Sequence, residues 1–258
     1  MPSIIVCPSG LAGEIRGLTG REGRLLADRS LARSGATVDR ILQSCWLKTT
    51  DPGVYDLAEG ASPDWSRVLV GDRFYALVQI RRQSFGDEYA FSVQCASAAC
   101  RQRFEWELNL ADMPVRLLAD DAKAAFRAGN RFETRLPRGG RKVWFRLLMG
   151  ADETRAATLR RQGRDNLLLE AVALRIVEIE GVAERDRRKF LDDVELADLT
   201  ALLDACEDVD CGIETSIEVE CPACGGMQDV DLPFERGFFF PRSRKARTER
   251  SASEGTTP

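Results

Sequence analysis

The sequence predicts an α+β fold in which a helical N-terminal region is packed on a composite domain of β-hairpins with inserted helices. Three observations support this prediction. Apolar residues recur at helical spacing over residues 19–45, whereas over 91–108 and 213–232 they alternate with polar residues, as is typical of strands. The 258 residues are 44% apolar and 30% charged, the balance of a globular chain. A chain of this length forms one large domain or two small ones.

The first 87 residues are predicted to form a short strand followed by helices. Thr19 and Glu22 have the spacing of a capping box, in which the hydroxyl and the carboxylate each bind a free amide at a helix start. A second helix places Ile41 and Cys45 on its apolar face, so Cys45 is interpreted as a core residue. A proline- and glycine-containing loop is predicted over 48–64, and Asp72 is predicted to cap a third helix.

The rest of the chain is predicted to alternate between hairpins and helices. The predicted elements are a hairpin over 91–108, a hairpin over 130–148, a helix over 151–174, a strand over 175–181, a helix over 193–208 and a hairpin over 213–232. We therefore divide the chain into an N-terminal strand-and-helix region (1–87), a composite domain with inserted hairpin and helices (88–240) and a disordered basic tail (241–258).

The amino-acid composition excludes several classes of enzyme. The chain contains no histidine, so Ser-His-Asp and Cys-His nucleophile systems and histidine-ligated metal sites are excluded. The net charge of −4 gives no overall basic field for nucleic acid. No run of about 18 apolar residues is present, so no membrane span is expected. These observations favour a non-enzymatic protein.

Two segments of the sequence look like copies of one unit, a strand ending in Val-x-Cys followed by a tight turn with a second cysteine and another strand. We call the cysteine-containing turn of each unit a knuckle. The first knuckle contains Cys95 and Cys100, and the second knuckle contains Cys221 and Cys224. Two such hairpin tips that face each other supply four tetrahedral thiolate ligands for zinc. In a reducing cytoplasm, closely spaced cysteines are more often metal ligands than disulfides. The sequence therefore predicts one structural Zn²⁺ per chain, which closes the composite domain.

The first knuckle has an alternative. Four residues separate Cys95 from Cys100, and no glycine follows them. Cys206 and Cys211 have the same spacing and lie closer to the second knuckle in the sequence. Against this pair, Cys206 lies on the apolar face of a predicted helix, where a free cysteine packs as a small hydrophobic residue. A redox-active C-x-x-C is a third interpretation, although no thioredoxin-like βαβ pattern surrounds it.

Phe238, Phe239 and Phe240 are candidates for docking to a partner protein. Three adjacent side chains cannot all face one core in a helix or a strand, so at least one is expected to be exposed or covered by a partner. The alternative is a C-terminal segment that folds back onto the protein. The tail beyond it holds five basic and two acidic residues over 242–258, and we interpret it as a solvated tail.

Five segments together carry a resemblance to a known family. They are Leu18-Thr-Gly-Arg-Glu22, Ser84-Phe-Gly-Asp-Glu-Tyr89, Arg175-Ile-Val-Glu-Ile-Glu-Gly181, Leu196-Ala-Asp-Leu199 and Ile217-Glu-Val-Glu-Cys221-Pro-Ala-Cys224-Gly. In this order they resemble the T-even-type baseplate hub proteins of contractile phage tails and related injection systems. The resemblance covers most of residues 10–240. By this resemblance the second knuckle matches the family's C-terminal cysteine pair, and the first matches an N-terminal pair that is usually spaced more tightly.

The resemblance implies a non-enzymatic role in building the baseplate hub, either as a component or as an assembly factor. It implies other hub or tail proteins as partners, and a location in the bacterial host cytoplasm during assembly or in the tail particle afterwards. We expect neither a membrane nor a nucleic acid as a partner. The alternative is a zinc-ribbon regulator that binds nucleic acid, which would use the knuckles and the basic tail. An enzyme would require a metal with an open coordination position or a pair of carboxylates.

Overall fold

The computed structural model describes residues 1–28, 31, 36–161, 167–233 and 236–239, and it confirms the predicted α+β class. The strands are β1 (Ser3–Val6), β2 (Ala12–Ile15), β3 (Trp46–Asp51), β4 (Glu88–Gln94), β5 (Arg103–Asn109), β6 (Val115–Arg116), β7 (Phe132–Arg135), β8 (Lys142–Phe145), β9 (Ile176–Ile179), β10 (Gly212–Ile213), β11 (Ser216–Glu220) and β12 (Met227–Asp231). The helices are α1 (Gly20–Ala27), α2 (Thr37–Cys45), α3 (Val70–Phe85), α4 (Asp120–Arg127), α5 (Gly150–Arg161), α6 (Leu167–Arg175), α7 (Arg187–Asp193), α8 (Leu196–Asp208) and α9 (Arg236–Phe239). None of these helices is long and apolar enough to cross a membrane.

The chain is organised in two compact units, and each unit is built from two separate segments of sequence. Unit 1 comprises Met1–Ile80 and Val115–Ile213, and unit 2 comprises Arg81–Pro114 and Glu214–Pro258. The division into three continuous regions stays a prediction. The tail over 241–258 lies outside the described residues.

An antiparallel sheet with the order β1-β2-β3 begins unit 1. The loop predicted over 48–64 is wrong for its first four residues, which belong to β3. Thr49 is buried in this strand, where its hydroxyl accepts from Trp46 Nε1 (3.1 Å) and donates to the carbonyl of Ala61 (2.6 Å). The polar sequence of β3 has no clear alternation, so pairing with β2 and these bonds decide its conformation.

The capping box at the start of α1 is confirmed, and its carboxylate has further partners. Glu22 is fully buried. It accepts hydrogen bonds from the backbone N–H and the hydroxyl of Thr19 (both 2.8 Å), from Ser44, and from both terminal nitrogens of Arg16 (2.9 and 3.1 Å). The Arg16 guanidinium, with smaller contributions from the hydroxyls of Ser44 and Thr19, holds the pKa of Glu22 well below its usual range. Burial alone would raise this pKa. One side chain thus connects α1 to α2 and to the residue that follows β2.

We expect Glu22→Gln to destabilise unit 1 by about 2 kcal/mol at pH 7, because the charged acceptor is lost. The pKa of Glu22 is lower in the folded protein, so its contribution is present above the unfolded value of about 4.5 and is lost as the pH falls below it. Denaturant unfolding at pH 7 and pH 3 should show the wild-type advantage shrinking with acidification. The control is Glu14→Gln, which removes a surface pair with Lys48 (3.1 Å) and should cost less than about 0.5 kcal/mol.

The main core of unit 1 lies between the antiparallel sheet β7-β8-β9 and the helices around it. The predicted hairpin over 130–148 and the predicted helix over 193–208 are confirmed as β7–β8 and α8. The predicted helix over 151–174 corresponds to α5 and α6, between which residues 162–166 lie outside the described part. The buried side chains of this core include Leu136, Val143, Phe145, Leu147, Val172, Ile179, Leu199, Leu202 and Cys206.

The start of α3 is held by buried polar residues. Asp72 does not cap this helix as predicted, because α3 begins two residues earlier and Asp72 lies in its first turn. Its buried carboxylate accepts from the backbone N–H (2.9 Å) and hydroxyl of Ser9 and from the hydroxyl of Tyr55 (2.5 Å). The next residue, Arg73, is also buried and pairs with Asp39 and with Glu153 (2.7 Å). These contacts connect α3 to the loops that follow β1 and β3, to α2 and to α5.

Unit 2 contains two antiparallel hairpins, β4–β5 and β11–β12, which confirm the predicted hairpins over 91–108 and 213–232. Arg81 is buried in this unit and binds main-chain carbonyls in place of a carboxylate. It donates to the carbonyls of Gly86, Glu88 (2.6 Å) and Phe238 (3.4 Å). Its guanidinium also lies 5.7 Å from the centre of the Phe238 ring. Arg81 therefore fixes the short helix α9 to the first hairpin.

Candidate metal centre

Each knuckle forms the tip of one hairpin of unit 2. The paired residues nearest the first tip are Gln94 and Arg103, so Cys95 directly follows β4. At the second tip the last pair is Glu220 and Met227, so Cys221 directly follows β11. The alternation that buries the apolar side of each strand also fixes the direction of the first cysteine of each knuckle.

Each knuckle is closed by an equivalent backbone hydrogen bond of its own, although the two knuckles differ in length. The N–H of Cys95 donates to the carbonyl of Gln102, and the N–H of Cys221 donates to the carbonyl of Gly226, both at 2.9 Å. In the longer first knuckle, the N–H groups of Cys100 and Arg101 both donate to the carbonyl of Ser97, at 3.0 Å. The two extra residues are thus accommodated inside the turn, and the ends of both knuckles close in the same way.

In both knuckles the residue after the second cysteine has a left-handed backbone conformation. In the second knuckle it is Gly225, with φ of +68°. In the first knuckle it is Arg101, with φ of +48°. The lack of a glycine after Cys100 therefore reflects a different residue in an equivalent conformation. This equivalence could not be recognised from the sequence, because arginine rarely adopts this conformation.

We expect Arg101→Gly to stabilise the protein by about 0.5–1 kcal/mol, because glycine removes the strain of the left-handed conformation while increasing the entropy of the unfolded chain. Gly225→Ala is the matched change in the other knuckle. An added Cβ there meets only Glu220 Oε1, at 3.8 Å, which is ordinary van der Waals contact. We therefore expect the variant to lose about 1 kcal/mol of stability, because alanine disfavours the left-handed backbone conformation. Thermal unfolding of both variants tests the equivalence, and destabilisation by Arg101→Gly would contradict it.

The four cysteine sulfurs of the knuckles form one cluster. All four Sγ atoms lie within 4.8 Å of one another, with 3.7 Å between Cys95 and Cys224 and 3.8 Å between Cys100 and Cys221. Four sulfurs bound to zinc at about 2.3 Å lie about 3.8 Å apart in a regular tetrahedron. Cys95 and Cys221 are buried, Cys100 is half-buried and Cys224 is exposed. The residues therefore fit a tetrahedral metal ion at the edge of unit 2.

The thiols of the cluster differ in acidity. Burial raises the pKa of Cys221, but the N–H groups of Ala223 and Cys224 and the neighbouring thiols lower it to about 7. The N–H of Ser97 lowers the pKa of Cys95, whereas burial and hydrogen bonds with the other three thiols raise it to about 12. The hydrogen bonds around the cluster therefore favour the thiolate form at Cys221 and the protonated form at Cys95. Because metal ligands must be deprotonated, binding of a metal would release the remaining thiol protons.

A protein-family model described as "T4 bacteriophage base plate protein" matches residues 1–239 of the chain. The chain belongs to this baseplate protein family. The match confirms the resemblance inferred from the sequence and covers both knuckles. A search of curated proteins and a search of solved structures found no match.

The other cysteines of the baseplate protein do not belong to the cluster. Cys206 and Cys211, the alternative ligand pair, belong to the hydrophobic core of unit 1, and burial raises the pKa of both thiols. Cys45 is fully buried, which confirms its interpretation as a core residue. Among the described residues, the knuckle cysteines are the one group of three or more cysteine or acidic side chains close enough to hold a metal ion.

The phenylalanines of the baseplate protein that were predicted to dock differ in their placement. Phe238 is fully buried in unit 2, with its ring 5.2 Å from that of Tyr89 and 5.1 Å from that of Phe239. Its burial agrees with the alternative of a segment that folds back, and it is compatible with exposure of at least one of the three side chains. Phe239 is half-buried, and Phe240 lies outside the described residues. Docking to a partner protein by the segment Phe238, Phe239 and Phe240 stays a prediction.

Proposed function

We propose that this baseplate protein is a non-enzymatic structural or assembly protein of a contractile-tail baseplate hub, and that one structural Zn²⁺ holds unit 2 together. The observation that carries the proposal is the cluster of four sulfurs at the tips of two hairpins in a chain of this family. Cys95, Cys100, Cys221 and Cys224 are the proposed ligands.

The ligand set supports a structural role for the ion. Four thiolates complete a tetrahedron and leave no position at which water or substrate could bind. The chain also contains no histidine, the usual general acid or base at neutral pH. The zinc would supply folding free energy, because the ligands converge only in the folded state.

The placement of the ligands explains what a metal would hold together. Between Cys100 and Cys221 lie 120 residues of chain, so the two knuckles come from distant segments of the sequence. A shared ion would cross-link these two segments of unit 2. A cross-linked unit suits a protein that must keep its shape while other hub or tail proteins assemble on it. We expect this assembly to take place in the cytoplasm of the bacterial host.

The nucleic-acid alternative gains no support from the surface beside the second knuckle. The exposed side chains of β11 and β12 include Glu218, Glu220, Asp229 and Asp231, whose negative charges would repel phosphate. The basic tail that suggested this alternative lies outside the described residues.

The proposed function is tested by assembly of particles in the host that produces them. We expect a tagged copy to co-purify with baseplate proteins, and we expect deletion of the gene to stop assembly before the baseplate is complete. Cys206→Ser should restore assembly in the deletion strain, whereas Cys221→Ser should not. Complete and infectious particles without the gene would overturn the proposal. Salt-dependent nucleic-acid binding that persists without residues 242–258 would favour the alternative.

A further inference from the structure

One side chain outside the ligand set binds the backbone on both sides of a proposed ligand. The N–H of Ala96 donates to Oε1 of Gln228 (2.6 Å), and Nε2 of Gln228 donates to the carbonyl of Gln94 (3.1 Å). Gln94 and Ala96 directly precede and follow Cys95. The primary amide of Gln228 therefore uses both its donor and its acceptor to bracket this cysteine.

The main chain of the same residue belongs to the other knuckle's hairpin. Gln228 lies on β12 and is paired with Val219 of β11. Val219 precedes Cys221 by two residues. Its backbone is thus part of the strand pair that carries the second knuckle, while its side chain holds the first. Among the described contacts of the two knuckles, these two hydrogen bonds connect them without using a sulfur atom.

The first knuckle has a particular need for such a bracket. Its intervening residues, Ala-Ser-Ala-Ala, include no proline or glycine to restrict the turn, whereas the second knuckle has Pro222 and Gly225. Residues that orient metal ligands commonly change metal affinity by about 10–100-fold when they are replaced. A ligand that is already in place binds more tightly, because less ordering is required on binding.

We infer that Gln228 is a positioning residue of the metal centre, which orients Cys95 toward the second knuckle before the metal binds. The inference rests on the proposed zinc site. Loss of the bracket should weaken zinc binding without changing the number of zinc ions bound, since all four ligands remain.

The test compares Gln228→Met, which keeps the length of the side chain and removes both polar groups, with Gln102→Met. Gln102 is exposed and flanks the same knuckle. Zinc affinity is measured on the full chain by competition with a chelator. We expect affinity to fall about 10–100-fold in Gln228→Met and to change less than about twofold in Gln102→Met, with one zinc per chain in both. Amide hydrogen exchange at Ala96 should become faster in the zinc-loaded Gln228→Met protein only.

A second variant covers the case in which Gln228→Met does not fold. Gln228→Glu keeps the acceptor for Ala96 but places a second oxygen against the carbonyl of Gln94, so it too should weaken zinc binding. Reduced thermal stability with unchanged zinc affinity would show a purely structural role and would overturn the inference. A wild-type protein that binds no zinc would instead overturn the proposed metal site, and the inference with it.

Discussion

Cys221→Ser is expected to reduce the zinc content of the purified protein from close to one ion per chain to close to none. Cys221 is the most buried of the four cysteines, and its thiol has the lowered pKa that favours metal binding at neutral pH. Small zinc-dependent domains are commonly unfolded without their metal. We therefore expect unit 2 to lose its cooperative unfolding transition, and we expect a chelator to have the same effect on the wild type. Metal analysis by mass spectrometry and thermal unfolding measure the two effects.

The matched control is Cys206→Ser, which makes the same change at a buried cysteine of unit 1. It should keep its zinc and lose only the stability that follows from placing a hydroxyl in an apolar core. Cys95→Ser should behave like Cys221→Ser. Zinc that is kept in Cys95→Ser and lost in Cys206→Ser would instead identify Cys206 and Cys211 as the second ligand pair.

Gly71→Ala is expected to destabilise unit 1 by about 3 kcal/mol, an overpacking cost at the upper end of the usual range. Gly71 lies at the start of α3, where the backbone of Cys211 and Gly212 passes directly against it. A Cβ at this position would overlap the carbonyl oxygen of Cys211 and would lie 2.7 Å from its carbonyl carbon and 3.1 Å from Cα of Gly212. All these atoms belong to the main chain, so no rotamer change can relieve the clash.

Gly23→Ala is the matched change within another helix. Nothing lies within 4 Å of a Cβ at Gly23 in α1, so the higher helix propensity of alanine should stabilise the protein by about 0.5–1 kcal/mol. Opposite signs for the two substitutions in denaturant unfolding would support a steric origin at Gly71. A neutral Gly71→Ala would show that the two segments are not in close contact in solution.

The features that were predictable from the sequence are those set by local chemistry. The capping box of Thr19 and Glu22 depends on two residues three positions apart, and the hairpins depend on a period of two along each strand. The cluster of the four cysteines was also predictable, because a metal site needs few residue types at narrow spacings.

The features that the sequence did not reveal depend on contacts between distant segments. Strand β3 is polar and irregular, and its pairing with β2 determines its conformation. Arg101 takes a backbone conformation that its residue type disfavours, and Gln228 acquires its role only because folding places β12 beside the first knuckle. Phe238 is buried because Arg81 and Tyr89, about 150 residues earlier, form its site.

The origin of unit 2 in two separate segments of the chain has a consequence for its synthesis. When Cys95 and Cys100 leave the ribosome, the two residues that complete the cluster of four sulfurs have not yet been translated. At roughly 5–20 residues per second, the intervening 120 residues delay Cys221 by about 6–24 s. For that time the two thiols have no partner cysteines, so we expect a reducing environment to keep them free of disulfides until Cys221 and Cys224 emerge.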